Sequence, residues 1–579
     1  MCGIAGVLGK TVAKDAVGPL IATLAHRGPN GIRVEDGKGF SLGHARLSII
    51  DLEGGWQPLH AAGSTVIGNG EIYNYVELAR DFQLGPVLKT GSDFEPLLHL
   101  YGREKSEAFE RLRGMFGLCL IGDDQCRWLA RDGFGIKPLY YWERGDELLF
   151  ASEPRALFAG GAPRKLSKPH AEELLALGYT IGEGSIFDGV CRLSPGRTLS
   201  FRTTPAKAET GQIGQNWLSQ TPQGFDSDES AVAALDAVLE DSVRVHQRSD
   251  VPYGLFLSGG VDSASIATLM SRLNERPVTA FTCGFDAEGA RDERASAERV
   301  ATALNLDWRE TSFGEEDFWR VLPQVAWALD DPTCDYAILP TYKLAEAAKG
   351  TLTVVLTGEG GDELFAGYGR YRRAMRPAWL GGRPAEPQIY APHLPDKGSG
   401  ALDRWRAVAL EWASAFGSTP LQAAQIGDIK TWLHADLLLK LDRCLMAHGL
   451  EGRTPFLDDQ VAHFAFRLPD KLKVRGKYGK WILRKWLETH CPAADPWAKK
   501  KGFTVPVSAW IAPRAAELGP KIAGVEGVAQ VCDVDQVLAV FADDRHEKAR
   551  WPLLFYAVWW LIHFAGAEPN DALKSLVQP

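Results

Sequence analysis

Residues 253–257, Tyr-Gly-Leu-Phe-Leu, form a short apolar run that passes directly into Ser258-Gly259-Gly260-Val261-Asp262-Ser263 and then into a helical pattern ending at Leu273. The alternation continues with an apolar run at 278–283, a helical pattern at 294–304, and an apolar run at 352–356 that ends at Thr357-Gly358-Glu359. Short apolar strands alternating with helices predict a parallel sheet, so this half of the chain is read as an α/β fold. In the first turn the glycines let backbone N–H groups come close to a phosphate, and the helix N-terminus adds orphan donors and a favourable dipole. Asp262 is then placed to hold Mg²⁺. The spacing lacks the Gly-x-x-x-x-Gly-Lys of a P-loop, which excludes a kinase-like or GTPase-like phosphate loop.

A second acidic turn, Thr357-Gly358-Glu359-Gly360-Gly361-Asp362-Glu363, also follows a strand-like run. Ligands of an open parallel sheet collect at the carboxyl ends of its strands, so both turns are expected to face one crevice. Asp262 and Asp362 can there share one Mg²⁺, which takes one or two carboxylates alongside phosphate oxygens. The first turn resembles the pyrophosphate loop of enzymes that split ATP into AMP and pyrophosphate.

Up to about Phe201 the chain reads as short β-type runs broken by Gly, Pro, Asn and Asp, with helices at 94–101 and 169–177. Residues 203–228 are polar and aperiodic, which predicts a linker between a domain at 1–202 and one at 229–579. The second domain opens with a helix at 230–244, carries a Pro/Gly-rich surface loop at 377–400, and reads as mainly helical from Ala401 on. The greasiest run, WPLLFYAVWWLIHF at 551–564, is too short for a hydrocarbon core that needs about 20 residues, and predicts a buried helix with no membrane partner. MCGIAGVLGK lacks the basic and long apolar regions of a signal peptide. Nine cysteines without a Cys-x-x-Cys pair predict neither zinc ribbon nor disulfide framework, and suit a reducing cytoplasm. A net charge of −9 argues against nucleic acid as a partner.

Cys2 becomes the terminal residue if Met1 is removed. Its thiol would then sit beside its own α-amine, a general base with a reference pKa of about 8. Around it stand, in order, Cys2-Gly3-Ile4-Ala5-Gly6, His26-Arg27-Gly28-Pro29, Arg46-Leu47-Ser48-Ile49-Ile50-Asp51, Asn69-Gly70-Glu71-Ile72-Tyr73-Asn74 and Ser92-Asp93. With these the chain resembles class II glutamine amidotransferases. With the two α/β turns added it resembles the glutamine-hydrolysing asparagine synthetase family nearly end to end. RDGFGIKPLYY (131–141), FASEPRAL (150–157), KLDRCLMAHGLEGRTPFLD (440–458) and KGFTVPVSAW (501–510) are further matches.

The resemblance implies a fold class: an α+β N-terminal nucleophile (Ntn) amidotransferase domain with stacked antiparallel sheets, then an α/β ATP-pyrophosphatase domain with a helical C-terminal part. It implies that Cys2 attacks the glutamine amide, that Asn69 and the Gly70 N–H form the oxyanion hole, and that Arg46 clamps the substrate carboxylate. Asp93 would take the α-ammonium, with backbone groups near Ile50 and Glu71 completing the pocket. It places ATP against Leu257, Ser258, Gly259, Gly260, Asp262, Ser263, Cys283, Thr357 and Gly358, Mg²⁺ on Asp262 and Asp362, and Lys480 on the reacting phosphate. Glu359 would position the intermediate or deprotonate ammonium. Aspartate would be adenylated and then amidated by ammonia passed through an internal tunnel, and a homodimer is the usual assembly.

Departures are Asn30 after the His-Arg-Gly-Pro motif, Thr357 for the usual Ser, RDGFG for the commoner RDPxG, and Leu445 before Met446. Residues 330–337 fall where the acceptor pocket is expected and resemble a broad bacterial branch. A related amidotransferase acting on another carboxylate, such as an acidic sugar, a peptide or a natural-product intermediate, is therefore the rival reading. Retention of Cys2, Arg46, Asn69, Asp93, Asp262, Asp362 and Lys480 speaks against a silent scaffold.

Overall fold

The structure, a computed structural model, describes residues 2–203, 206–286, 292–384, 386–387, 400–499 and 505–577. The expected loop at 377–400 and the motif at 501–510 lie partly outside them. Twelve strands build the N-terminal half: β1 (Gly3–Leu8), β2 (Ile32–Gly37), β3 (Phe40–Ala45), β4 (Leu59–Ala61), β5 (Ser64–Ile72), β6 (Gly114–Ile121), β7 (Arg127–Arg131), β8 (Tyr140–Arg144), β9 (Glu147–Ala151), β10 (Cys191–Arg192), β11 (Arg197–Thr203) and β12 (Ala206–Gln212). They form two antiparallel six-stranded sheets, ordered β10-β8-β9-β1-β3-β2 and β12-β11-β7-β6-β5-β4. Ile4, Leu42 and Phe150 from the first sheet meet Ile67, Cys119 and Leu129 from the second in one buried cluster. That dry layer is what the alternating apolar runs of this half bury.

Five parallel strands form the sheet of the second half: β13 (Tyr253–Phe256), β14 (Thr279–Phe285), β15 (Asp307–Phe313), β16 (Val354–Leu356) and β17 (Glu451–Arg453), ordered β15-β14-β13-β16-β17. The helices expected from periodicity are present at Asp228–His246, Val261–Leu273 and Arg294–Ala303. The greasy run lies in the helix Glu547–His563, where Trp551, Leu554 and Trp559 are buried against Cys334 and Leu329, as a core helix requires. Among the described residues no helix is long and apolar enough to cross a membrane, and all nine cysteines are free thiols.

Three features depart from the sequence pattern. The stretch 203–228, expected to be a plain linker, contains β12 and the 3-10 turn Asn216–Ser219, whose Trp217 is buried and stacks on Phe134 at 4.7 Å. An edge strand pairs through its backbone alone, so β12 needs no apolar alternation. For the same reason β15, with charged Asp307, Arg309 and Glu310, is invisible to a search for apolar runs. β17 lies in the region read as mainly helical. It is three residues long and carries two charges, paired with each other through Arg453 Nε and Glu451 Oε1 at 2.6 Å.

The halves meet through buried charge. Arg27 donates to both oxygens of Asp442, at 2.8 and 3.0 Å, and to Glu153 Oε1 at 2.8 Å. Arg443 reaches Asp330 at 3.1 Å and Glu153 at 3.2 Å. Asp331 takes the Tyr140 hydroxyl at 2.8 Å and Arg192 at 3.1 Å. Three arginines and four acids from both halves thus neutralise one another out of water, which is the condition for burying them at all.

Candidate active site

Cys2 immediately precedes β1, and Asn69 lies on β5 in the opposing sheet. The Cys2 N–H donates to Asn69 Oδ1 at 3.1 Å, which assigns the other face of that amide to Nδ2. Asn69 Nδ2 is buried with no protein acceptor, a donor left over for a ligand. Gly70 follows at φ 147°, and a Cβ there would stand 1.9 Å from Met115 O, so only glycine fits at this point of the cavity wall that Cys2 also lines. Burial raises the Cys2 thiol above its ordinary value, so a base is needed to make it a nucleophile.

Cys2, Arg46, Ile50, Gly70, Glu71 and Asp93 line one small cavity. Arg46 donates to Leu52 O at 3.0 Å and Asp51 O at 2.6 Å and stands 4.9 Å from the centre of the Trp56 ring, so its fork is pre-oriented. Asp93 Oδ2 accepts the Ile72 N–H at 2.8 Å, and burial pushes its carboxyl up to about 7. The Glu71 side chain contacts Arg453 of the other half, with Oε2 at 3.2 Å from Nη2. Burial lifts Glu71 well above the usual carboxylate range.

The second site assembles at the carboxyl ends of β13 and β16. The loop after β13 is closed by its own serines: Ser258 N donates to Ser263 Oγ at 3.1 Å, and the two hydroxyls lie 2.8 Å apart. Leu257 N donates to Phe281 O at 2.9 Å, tying the loop to β14, on which Cys283 is buried. Thr357 N donates to Arg453 O at 2.9 Å, which sets the course of Gly358 and Glu359. Lys480 spans the two turns, contacting Asp262 and lying 2.7 Å from Asp362 Oδ1. Burial disfavours its charge, but the two carboxylates outweigh that and raise its pKa. Its backbone is in the left-handed region at φ 54°, an uncommon conformation held just before the helix Trp481–His490.

The expected residues thus fall into two groups, each gathered in space. Several contacts were outside the sequence reading. A Cβ on Gly367 would come within 1.7 Å of Asp362 Oδ1 and 2.3 Å of Lys480 Cε, so this glycine makes room for the lysine–carboxylate cluster. Lys440 Nζ lies 3.0 Å from Asp335 Oδ2 and 3.7 Å from Glu359 Oε1. Arg453 serves both groups, with its guanidinium on Glu71 and its carbonyl on Thr357. The matching segment 440–458 flagged Lys440 and Arg453 without showing what they touch.

A two-sheet half with a cavity lined by Cys2, followed by a parallel-sheet half with a lysine bridging two carboxylates, gives the chain two separate clusters. Residues 1–211 match the glutamine amidotransferase domain family, and residues 234–562 match the asparagine synthase family. The chain is 31% identical over 618 residues to asparagine synthetase [glutamine-hydrolyzing] 1 of Bacillus subtilis (strain 168), covering 97% of each protein. It is 32% identical over 635 residues to a putative asparagine synthetase [glutamine-hydrolyzing] of Mycobacterium tuberculosis (strain ATCC 25618 / H37Rv), covering 97% of this chain and 95% of that one. Amidase chry2 of Gibberella zeae is 27% identical over 587 residues, covering 87% and 86%. The chain belongs to the glutamine-hydrolysing asparagine synthetase family, whose members are ATP-dependent ligases.

Proposed function

We propose that this chain releases ammonia from L-glutamine at Cys2 and uses it, with ATP, to convert L-aspartate to L-asparagine, giving AMP, pyrophosphate and L-glutamate. The observation that carries the reading is the pairing of two complete sites in one chain: Cys2 bonded to Asn69, and Lys480 spanning Asp262 and Asp362. In the first site the α-amine of a processed Cys2 takes the thiol proton, and Sγ attacks the glutamine amide carbon. Asn69 Nδ2 and the Gly70 N–H receive the developing oxyanion, a contribution worth about 3–4 kcal/mol per donor. Arg46 holds the α-carboxylate and Asp93 the α-ammonium. The C–N bond breaks as the α-amine returns that proton to the leaving nitrogen, ammonia departs, and water then hydrolyses the thioester to glutamate.

In the second site the loop from Leu257 to Ser263 and the Thr357-Gly358 turn receive ATP. The aspartate β-carboxylate attacks the α-phosphorus, pyrophosphate leaves, and ammonia displaces AMP from the acyl adenylate. Attack of one anion on another needs positive charge, which Lys480 brings to the phosphate side. Asp262 and Asp362, two carboxylates on adjoining turns that Lys480 bridges, would hold Mg²⁺, which would supply charge neutralisation beside the phosphates. Glu359, whose pKa burial raises, would accept a proton from incoming ammonium. Ammonia passes between the halves inside the protein, and the chain works as a cytoplasmic homodimer with domains divided near 203–228.

The test incubates the protein with ATP, Mg²⁺ and glutamine, with and without aspartate, and measures pyrophosphate and asparagine together. Aspartate-triggered pyrophosphate release with matching asparagine is expected. Glutamine hydrolysis that aspartate leaves unchanged, with no pyrophosphate, refutes aspartate as acceptor and moves the search to another carboxylate.

A further inference from the structure

Beside the phosphate-side lysine the structure holds a second buried lysine flanked by two carboxylates. Lys440 rises from the helix Leu438–Met446 between Asp335 and Glu359. Exposure increases along the group, from 6% for the Lys440 side chain through 13% for Asp335 to 29% for Glu359, so Lys440 is the floor and Glu359 the mouth. Glu359 lies on the turn that also carries Asp362, which puts this group next to the lysine-bridged carboxylates where the reacting phosphate belongs.

The wall is preset. Asp335 Oδ1 accepts the Ala337 N–H at 2.9 Å at the start of the helix Ile338–Ala348, leaving Oδ2 on Lys440. The preceding residues are fixed to the N-terminal half: Cys334 N donates to Gly178 O at 2.7 Å, and Asp331 and Asp330 join the interdomain charges. Behind them Asp436, at the end of the π-helical turn Ile429–Leu437, takes hydrogen bonds from Thr333 and Trp432. Lys440 is one cation against the carboxylates of Asp335 and Glu359, with Asp436, which burial pushes up to about 7, behind them, so the cluster keeps an acidic balance. An ammonium-bearing acceptor relieves that balance, whereas a purely anionic one worsens it.

The geometry points to Lys440 and Asp335 as the pair that orients the acceptor: Lys440 Nζ receives the carboxylate that does not react, and Asp335 receives the ammonium beside it. This rests on the aspartate reading above and deepens it, because it selects acceptors carrying an α-amino acid head and rejects acidic sugars. Both residues position the substrate so that its distal carboxylate faces the phosphate.

The test follows pyrophosphate release by the full-length enzyme with Mg²⁺-ATP and either L-aspartate or succinate, which has the same two carboxylates and no ammonium. The wild type is expected to use aspartate and not succinate. Asp335→Asn is expected to raise the aspartate KM at least tenfold with the ATP KM unmoved, and to narrow the preference over succinate by a similar factor. Asp335→Glu should restore part of the affinity, and Lys440→Arg, which keeps the buried charge, should raise the aspartate KM in the same way. An aspartate KM within twofold of wild type in both Asp335→Asn and Lys440→Arg overturns the inference, as does a parallel rise in the ATP KM. A wild type that hydrolyses glutamine but releases pyrophosphate with neither acid overturns the aspartate reading and this inference together, a result distinct from an active wild type with unmoved variants.

Discussion

Asp442→Asn isolates one member of the charge network that joins the two halves. Arg27 and Asp442 are each about 1% exposed or less and share two hydrogen bonds, at 2.8 and 3.0 Å. Removing one partner of such a buried pair costs about 3–5 kcal/mol, mostly from the charge left behind. Arg27 keeps Glu153 at 2.8 Å, so the lower end applies, about 3 kcal/mol, or roughly a hundredfold in the folded-to-unfolded ratio. Burial works to raise the Asp442 pKa, but Arg27 outweighs it and the net shift is downward from 3.8. A carboxyl lowered on folding stabilises fully above its unfolded value and loses that contribution as pH falls through the folded one. The gap between wild type and Asp442→Asn in urea unfolding should therefore be full at pH 7 and shrink below about pH 4. Arg27→Met and the double variant complete a cycle, in which the double should cost less than the two singles summed. A gap under about 0.5 kcal/mol at neutral pH, within the range of an ordinary surface change, would refute the argument that this pair holds the halves together.

Cys2→Ala should abolish glutamine-driven asparagine formation and leave ammonia-driven formation intact; glutaminase activity surviving in that variant removes Cys2 as the nucleophile. Asp262→Asn should stop pyrophosphate release while glutamine is still hydrolysed, and normal pyrophosphate release would falsify its place at the phosphate. Because burial, helped by the Glu451 charge and opposed by the Ile72 N–H and Arg453, sets Asp93 near 7 and only its anion pairs with an ammonium, kcat/KM for glutamine should fall up to about tenfold per unit as pH drops below about 7. A profile flat from pH 8 to 5.5 refutes that role, and Asp93→Asn should flatten it at a low level.

What the sequence exposes is what must be local. Ser258-Gly259-Gly260 is legible because a phosphate loop needs glycines and hydroxyls within a few residues, between a strand and a helix that each show their own period. Cys2 and Asn69 are 67 residues apart, yet each sits in a short motif, so the pair could be inferred from order along the chain before the 3.1 Å contact was seen. The long-range charges also lie in recognisable segments, but those segments do not say what they pair with. Arg27 and Asp442 are 415 residues apart, and Lys440 and Asp335 are 105 apart. Nothing in the neighbourhood of any of the four says that it will be buried or by what it will be neutralised, since that depends on packing between halves. β17 fails for a related reason. Glu451 and Arg453 look like surface polar residues, and they become a central part of the molecule only because each supplies the other's charge and Arg453 also reaches Glu71.

That placement gives Arg453 a role no single motif carries. Its carbonyl accepts the Thr357 N–H and so sets the turn bearing Glu359, while its guanidinium holds Glu71, which lines the same cavity as Gly70 and Cys2. A shift of Arg453 at one cluster would disturb its hydrogen bond at the other. The two clusters are therefore tied at β17 as well as by the ion pairs of Arg27 and Arg443, and although these residues lie in recognisable motifs, nothing in those motifs says what they touch.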